Sequence, residues 1–199
     1  MKRHFTPLMK VLQAIPDPRN AQGKRHPLSA ILGLICLAML CGYRSYTAIA
    51  EFGRELSEDM RQSLGFTQKK TPCSATFFNT LKELNLSTVE SLLGEWSEEV
   101  LQASNSGEKE VISFDGKTLR GSKKQGHTGS HLLAGISQRL SLPLSQFAVP
   151  EKTNEITAMK HLLKGLLLEG KLLTMDALLT QRKIAEEICS QGGDYLMPV

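Results

Sequence analysis

The segment 111–122 constrains the fold of this chain more than any other stretch. Four β-favouring residues open it and lead directly into Asp115, and Gly116 allows a sharp turn after the carboxylate. The same pattern recurs at residues 171–175, which lead into Asp176. In open α/β sheets, the groups that bind ligands follow the carboxyl ends of strands. The sequence therefore predicts two strand-ending aspartates that can share one crevice.

Each aspartate taken alone has a simpler interpretation, because an aspartate after a strand often forms a turn or caps a helix. The pair suits another role if the two strands are parallel neighbours. Two carboxylates then point into one crevice and suit Mg²⁺ or Mn²⁺, which complete their shells with water and phosphate oxygens. Such sites drive in-line phosphoryl displacement. Asp115 and Asp176 are therefore the predicted catalytic residues and metal ligands.

The basic residues are concentrated at two places in a chain of formal net charge +4. One group follows Asp115 in a glycine-containing stretch, and the other lies within the first 27 residues. A solvated loop accounts for such a group by itself, whereas beside a metal site it would neutralise backbone phosphates. The predicted DNA-binding residues are Lys117, Arg120, Lys123, Lys124, Lys24 and Arg25.

Other kinds of site fit the sequence less well. The segment 115–118 resembles the end of a P-loop, but Val111 stands where that motif requires glycine. His127 and His131 have a ligand-like spacing, yet the glycines around them oppose a helix and no cysteine is close, so zinc is not predicted. A phosphohydrolase unrelated to DNA would need a further acid in the crevice and would leave the basic stretch without a role.

The cysteines and the apolar stretches predict a soluble cytoplasmic protein without a membrane segment. No C-x-x-C pair occurs, and the two cysteines in apolar helical sequence, Cys36 and Cys41, are predicted to be buried free thiols of a reducing compartment. The apolar run 28–41 is shorter than the roughly 20 residues that span a bilayer. It also lacks the position and cleavage motif of a signal peptide.

Hydrophobic periodicity predicts an all-helical domain over 1–104 and a mixed sheet with helices over 109–199, an α+β or α/β chain. Ser29 and Ser74 are predicted helix caps. The predicted helices are 5–15, 29–40, 45–52, 56–64, 74–84 and one through 89–101, followed by 154–168 and 180–190. The predicted strands are 111–114, 131–138, 144–149, 171–175 and 194–199.

Several ordered motifs carry a family resemblance. Residues 114–122 (FDGKTLRGS), 152–156 (KTNEI), 173–177 (LTMDA) and 192–196 (GGDYL) resemble the DDE transposases of bacterial insertion sequences. The group they most resemble is the H-repeat-associated, or Rhs-element, transposases. The N-terminal segments 15–19, 23–28 and 72–77 resemble the helical domain associated with that family. The resemblance extends over essentially the whole chain.

The resemblance implies an RNase H-like catalytic fold in which the first and fourth strands are parallel neighbours. Asp115 matches the first catalytic aspartate of the family and Asp176 the second. The implied reaction is Mg²⁺- or Mn²⁺-dependent hydrolysis and strand transfer of DNA phosphodiesters, without a covalent protein intermediate. The implied partners are DNA at the element ends and either a second copy of the chain or a full-length transposase.

One departure from the family pattern concerns the third catalytic carboxylate. The family continues into a Lys-x-Asn-Gln stretch and a later helix that bears a glutamate, whereas this sequence ends at Val199. Glu186 and Glu187 lie on the wrong helix to replace it. We therefore expect a C-terminally truncated transposase with an incomplete RNase H-like sheet, inactive by itself. The alternative is a DNA-binding or regulatory remnant of a transposase.

Overall fold

The computed structural model describes residues 5–104, 109–118, 131–149 and 155–198. The helices are α1 (Leu8–Ala14), α2 (Leu28–Leu40), α3 (Tyr46–Glu55), α4 (Glu58–Ser63), α5 (Ser74–Glu83), α6 (Leu86–Ala103), α7 (Glu155–Lys164) and α8 (Arg182–Ser190). The strands are β1 (Glu110–Thr118), β2 (His131–Ser137), β3 (Pro143–Val149), β4 (Lys171–Thr174) and β5 (Asp194–Leu196). Each predicted helix and strand has a counterpart. However, α7 is four residues shorter at its carboxyl end than predicted, and β5 ends at Leu196.

The chain divides into two compact units. The helical unit runs from Phe5 to Trp96, and the sheet unit contains the described residues from Ser97 onward. Each unit has its own cluster of buried apolar side chains. The division falls within α6, whose last turns pack into the sheet unit through Leu101. Either cluster can therefore be perturbed by substitution without removing a side chain from the other.

Helix α2 forms the centre of the helical unit. It is apolar on all sides, and eight of its thirteen residues are buried, as expected for a helix enclosed by its neighbours. Gly42 follows it at a φ of +91°, with its N–H and that of Tyr43 donating to carbonyls of the last turn. Among the described residues, no helix is both long enough and apolar enough to span a bilayer.

The helix caps differ in part from the prediction. Ser45 and Ser57 accept hydrogen bonds at the starts of α3 and α4. The predicted caps Ser29 and Ser74 are wrong: both lie inside the first turn, preceded by Pro27 and Cys73, which make no side-chain cap bond. A helix that begins at or before the serine leaves it without the extended backbone that a capping residue needs.

All four cysteines are free thiols, including Cys36 and Cys41, for which this was predicted. Cys36 is half-buried in α2, and burial raises the pKa of its thiol. The prediction that Cys41 is buried is wrong, because it follows the last residue of α2 and is exposed.

The sheet has the strand order β3-β2-β1-β4-β5. β1 lies at its centre, antiparallel to β2 and parallel to β4, and β5 runs parallel to β4 on the other edge. The first and fourth strands are therefore parallel neighbours, which is the arrangement that a shared aspartate site requires.

The prediction that β1 ends before Asp115 and turns at Gly116 is wrong. β1 continues to Thr118, and Asp115 and Gly116 pair with Ala134 and Leu133 of β2. The antiparallel ladder with β2 supplies backbone partners beyond the point where the parallel ladder with β4 stops. Asp115 thus lies within a strand, at the level where its parallel neighbour ends.

The two faces of the sheet differ because side chains alternate along each strand. One face carries Ile112 and Phe114 of β1 together with Leu133 and Leu173, and these side chains are buried with residues of α7 and α8. The other face of β1 carries Ser113, which is half-buried, and then the exposed Asp115 and Lys117.

Two buried charged residues stabilise the opposite end of the β1–β4 pair. Glu110 and Lys171 are register partners, 8% and 7% exposed. Arg139 donates to Glu110 over 2.9 Å, and Lys171 forms an ion pair with Glu98. Each buried charge therefore has a partner, as burial of a charge requires. The register of β1 against β4 itself is that of the parallel backbone ladder, which runs from this charged end to Ser113 and Thr174.

Candidate metal centre

The register of β1 and β4 sets both predicted aspartates the same number of residues beyond the last pair of the parallel ladder. The last paired residues are Ser113 and Thr174, and each aspartate follows its member of that pair by two residues. Residues two apart on a strand lie on the same face. The hydroxyls of Ser113 and Thr174 are 3.0 Å apart, so this pair shares the face on which Asp115 lies. Ser113 and Thr174 thus form a hydroxyl pair beside the aspartates.

Asp176 begins the turn that follows β4. Its Oδ1 accepts a hydrogen bond from the backbone N–H of Leu179 over 3.2 Å, and its carbonyl accepts one from the hydroxyl of Thr180. The turn-forming role of an aspartate after a strand is thus present here. Within the described part of the chain, Oδ2 has no hydrogen-bond partner, so this oxygen is available to a ligand.

Asp115 is solvent-exposed, with 55% of its side-chain surface accessible. Lys117, predicted to contact DNA, forms an ion pair with it: Lys117 Nζ is 3.2 Å from Asp115 Oδ2. The pair follows from strand alternation, since residues 115 and 117 share a face. The Lys117 side chain is itself 74% exposed, so the ion pair is weak.

Three residues of this polar surface were not predicted from the sequence. Gln138, just after β2, donates from Nε2 to the hydroxyl of Ser113, which contacts Thr174. A hydroxyl residue two positions before each aspartate was a signal in the sequence, because positions i and i+2 share a strand face. These hydrogen bonds limit the orientations that the side chains of Ser113, Thr174 and Gln138 can adopt.

The donor set fits a hard divalent cation. The two aspartates offer carboxylate oxygens, and Mg²⁺ is commonly bound by one or two carboxylates with the remaining ligands from water and substrate phosphate. Over residues 5–104, 109–118, 131–149 and 155–198, no group of three His, Cys, Asp or Glu side chains has the arrangement of a metal site. Asp115 and Asp176 thus stay the two predicted ligands within the described residues.

The other predicted DNA-contact residues either lie outside the described residues or belong to the helical unit. Arg120, Lys123 and Lys124 lie outside the described residues, as does His127 of the rejected zinc pair. Lys24 and Arg25 are exposed and belong to the helical unit. Lys24 Nζ approaches the backbone carbonyl of Asp17 at 3.5 Å.

Two family descriptions match successive parts of the chain. Residues 9–97 match the DDE_Tnp_1-associated domain, and residues 106–199 match the transposase DDE domain. Both predicted aspartates fall inside the second match.

Curated relatives match over almost the whole chain. It is 34% identical over 194 residues to the "H repeat-associated putative transposase YhhI" of Escherichia coli K12, which covers 96% of this chain and 50% of that protein. The identity to the H repeat-associated YbfD of the same strain is also 34%, over 96% of this chain and 75% of that protein. YbfL is 35% identical and is covered over 50% of its length. The chain thus spans half the length of YbfL and YhhI.

Among solved structures, a chain of the piggyBac transposase synaptic complex with hairpin DNA is similar at a TM-score of 0.41 and 9% identity. That match covers 94% of this chain and 45% of the other. The family assignment rests on the sequence matches, which account for the helical unit and the sheet unit in the order in which they occur. The chain belongs to the DDE transposase family, together with the H repeat-associated proteins of Escherichia coli.

Proposed function

We propose that the sheet unit is the first part of a transposase catalytic domain, in which Asp115 and Asp176 together bind one Mg²⁺ or Mn²⁺ ion. The observation that carries the proposal is the parallel register of β1 and β4, which sets both aspartates two residues beyond the pair Ser113–Thr174. The carboxylates thus follow the point at which two adjacent parallel strands stop pairing, and the crevice beyond the carboxyl ends of parallel strands is a usual position for a ligand site.

The proposed reaction is cleavage and strand transfer of DNA phosphodiesters at the ends of an insertion sequence. A divalent ion at this site would polarise a phosphoryl oxygen and lower the pKa of a bound water. The carboxylates of Asp115 and Asp176 would hold that ion and orient it toward the phosphate. Lys117, exposed beside Asp115, would exchange its ion pair for a contact with a DNA phosphate.

The RNase H-like assignment forms part of this proposal. Its support is the strand order β3-β2-β1-β4-β5 with β1 and β4 parallel. DNA at element ends is the proposed substrate, supported by the family and by the basic residues close to Asp115 in the sequence. Self-association of the chain is a further part of the proposal.

A second function, DNA binding without cleavage, is favoured by one observation. The described residues supply two carboxylates to the site and no third acidic ligand. The truncation and the inactivity expected from the sequence remain predictions, and the two functions differ in whether DNA is cut.

The test is nicking of supercoiled DNA in Mg²⁺ and in Mn²⁺ by the parent chain, Asp115→Asn and Asp176→Asn. Asp194→Asn is the matched control, because Asp194 is an exposed carboxylate on the neighbouring strand β5. Loss of a metal ligand removes several kcal/mol of stabilisation, so each site variant should lose at least about 100-fold in rate. The control should keep the parental rate.

Each outcome decides between the functions. Parental nicking that both site variants lose and the control keeps supports the metal site. Parental nicking that survives either site substitution contradicts it. Salt-sensitive DNA binding without any nicking by the parent establishes the binding function instead.

A further inference from the structure

A second charged surface lies on the helical unit, in a cavity of about 510 Å³. Its walls come from α3, from α4 and from the segment that leads into α5. Four cationic side chains line the cavity, contributed by Arg54, Arg61, Lys69 and Lys70. We call this the cationic pocket.

Among the residues that the structure describes, none with an acidic side chain lines the cationic pocket. Arg61 forms an ion pair with Glu58 at 3.0 Å, and Arg54 has only a longer contact of 3.9 Å with Glu51. Lys69 and Lys70 are exposed and have no ion pair within the described part of the chain. Like charges held around one cavity repel each other, and an anion in the cavity relieves that repulsion.

The start of α5 adds hydrogen-bond donors to the same cavity. Cys73 and Ser74 line the pocket, and Cys73 occupies the N-cap position without a side-chain cap bond to the helix. The first backbone N–H groups of a helix have no acceptor inside it, and this end of the helix favours negative charge. The N–H groups of Thr76 and Phe77 donate to the Cys73 carbonyl, and the start of this ten-residue helix lines the same cavity as the four cationic side chains.

We propose that the cationic pocket binds backbone phosphate groups of DNA. Phosphate chemistry follows from the cavity, because four cationic side chains and the start of a helix together are suited to a phosphate. Four cations exceed the charge of one phosphodiester, which suits a ligand with several phosphates in a row. The choice of DNA as their carrier rests on the proposed function. The pocket does not involve the aspartates and belongs to the other compact unit.

The chain contains its own reporter for this site. Cys73 is an exposed thiol that lines the pocket, and its Sγ lies 3.4 Å from the hydroxyl of Thr76. The hydrogen bond with Thr76 lowers the pKa of the thiol, which favours the reactive thiolate. Cys41 and Cys189 are also exposed and lie outside the pocket lining, so they serve as internal controls.

The first experiment measures alkylation of the three exposed cysteines in the intact chain by mass spectrometry. Iodoacetamide is added with EDTA, with and without a saturating short DNA duplex. A phosphate in the pocket shields the thiol and opposes its ionisation, so the Cys73 rate should fall by about fivefold or more. A Cys73 rate that falls no more than those of Cys41 and Cys189 would overturn the proposal.

The second experiment compares DNA affinity for two charge-matched variants at a series of NaCl concentrations, again in EDTA. The pocket variant is Lys69→Gln with Lys70→Gln, and the control is Lys10→Gln with Lys82→Gln, two exposed lysines of the same unit outside the pocket. Each lost phosphate contact reduces the slope of log affinity against log salt by about 0.9. The pocket variant should lose about 1 to 2 units of slope relative to the control, and equal slopes would overturn the proposal.

Two further measurements complete the test. One distinguishes DNA from inorganic phosphate as the ligand, and the other asks whether binding at the pocket depends on the aspartates. If inorganic phosphate slows Cys73 alkylation but DNA does not, the pocket takes a small anion and the DNA proposal is wrong. Because both experiments exclude metal, they do not depend on Asp115 or Asp176. Asp115→Asn should therefore shield Cys73 as well as the parent does, even if the nicking test fails.

Discussion

The two faces of the sheet are built from the same strands but differ along β1: one face is apolar and buried, and the other is polar and partly exposed. On one face, Ile112 and Phe114 are buried beneath α7 and α8. On the other, the residues between and beyond them are polar, and Asp115 is 55% exposed. Strand alternation separates the two sets by a single position. We therefore expect substitutions on the buried face to affect stability, and substitutions on the polar face to affect metal and DNA binding.

The largest effect should follow removal of the aromatic ring from the buried face. Phe114 is 4% exposed, and truncation of a buried phenylalanine costs about 3–5 kcal/mol. Phe114→Ala should show this loss in urea unfolding, with faster hydrogen exchange in β1 and β2. Ser113→Ala, one residue away on the other face, should cost about 1 kcal/mol or less. Similar losses for both variants would remove the distinction between the faces.

A smaller effect should come from the glycine beneath that ring. Gly135 pairs with Phe114, and a Cβ at Gly135 would lie 2.7 Å from Phe114 Cε1. The ring would have to move, so Gly135→Ala should cost about 1–3 kcal/mol. Gly165→Ala is the control, because its Cβ would meet nothing closer than 3.6 Å.

A double substitution sharpens this expectation. If the clash with the ring is the cause, Gly135→Ala should cost much less in a Phe114→Ala background. An unchanged cost in that background would assign the effect to the backbone of β2 instead.

The stability of the helical unit should depend on pH through one buried histidine. His26 is 6% exposed, and burial together with the nearby Arg25 and Arg19 lowers its pKa below the ordinary 6.5. The unfolded chain therefore binds a proton first, so stability is complete above pH 6.5 and is lost as the pH falls below it. Hydrogen exchange between pH 7.5 and 5.5 should show this loss in the helical unit. His26→Leu should abolish it, and a loss that persists in the variant would contradict the assignment to His26.

Asp17 titrates in a separate window. Hydrogen bonds from Arg19 hold the pKa of its carboxyl below the ordinary 3.8. Its contribution is present above pH 3.8 and is lost as the pH falls below that value. The two effects can therefore be separated in one pH series.

The smallest effect on stability should come from the polar face. Asp115 is exposed and has only the weak ion pair with Lys117, so Asp115→Asn should change the free energy of unfolding by about 0.5 kcal/mol or less. Urea unfolding of this variant without metal should overlay the parental curve. A loss comparable to that of Gly135→Ala would mean that the carboxylate is structural.

The sequence predicted the elements of the sheet but not all of their geometry, and the role of the two aspartates stays a prediction. Apolar runs that end in aspartate are local patterns, and the adjacency of β1 and β4 came from the family resemblance. The extension of β1 beyond Asp115 was missed because it depends on pairing with β2, which is distant in sequence. The sequence around Gly116 was equally compatible with a turn and with the continuing strand that the structure has.

The remaining site features depend on contacts that a linear sequence does not show. In the sequence, Ser113 and Thr174 are ordinary strand residues, and only the register of the two strands shows that their hydroxyls are in contact. The cationic pocket combines Arg54 and Arg61 with a later lysine pair, in a region that is rich in acidic residues. Folding places the cations around one cavity and leaves the acidic side chains out of its lining, and charge counting along the chain cannot predict that separation.

The central claim is that Asp115 and Asp176 bind the same metal ion. The most direct test is Mn²⁺ binding, followed by electron paramagnetic resonance, for the parent, Asp115→Asn, Asp176→Asn, the double variant and the Asp194→Asn control. We predict one site in the parent, an affinity reduced by about tenfold or more in each single variant, and little further loss in the double variant. Parental affinity in either single variant, or independent losses that add in the double variant, would contradict a shared site.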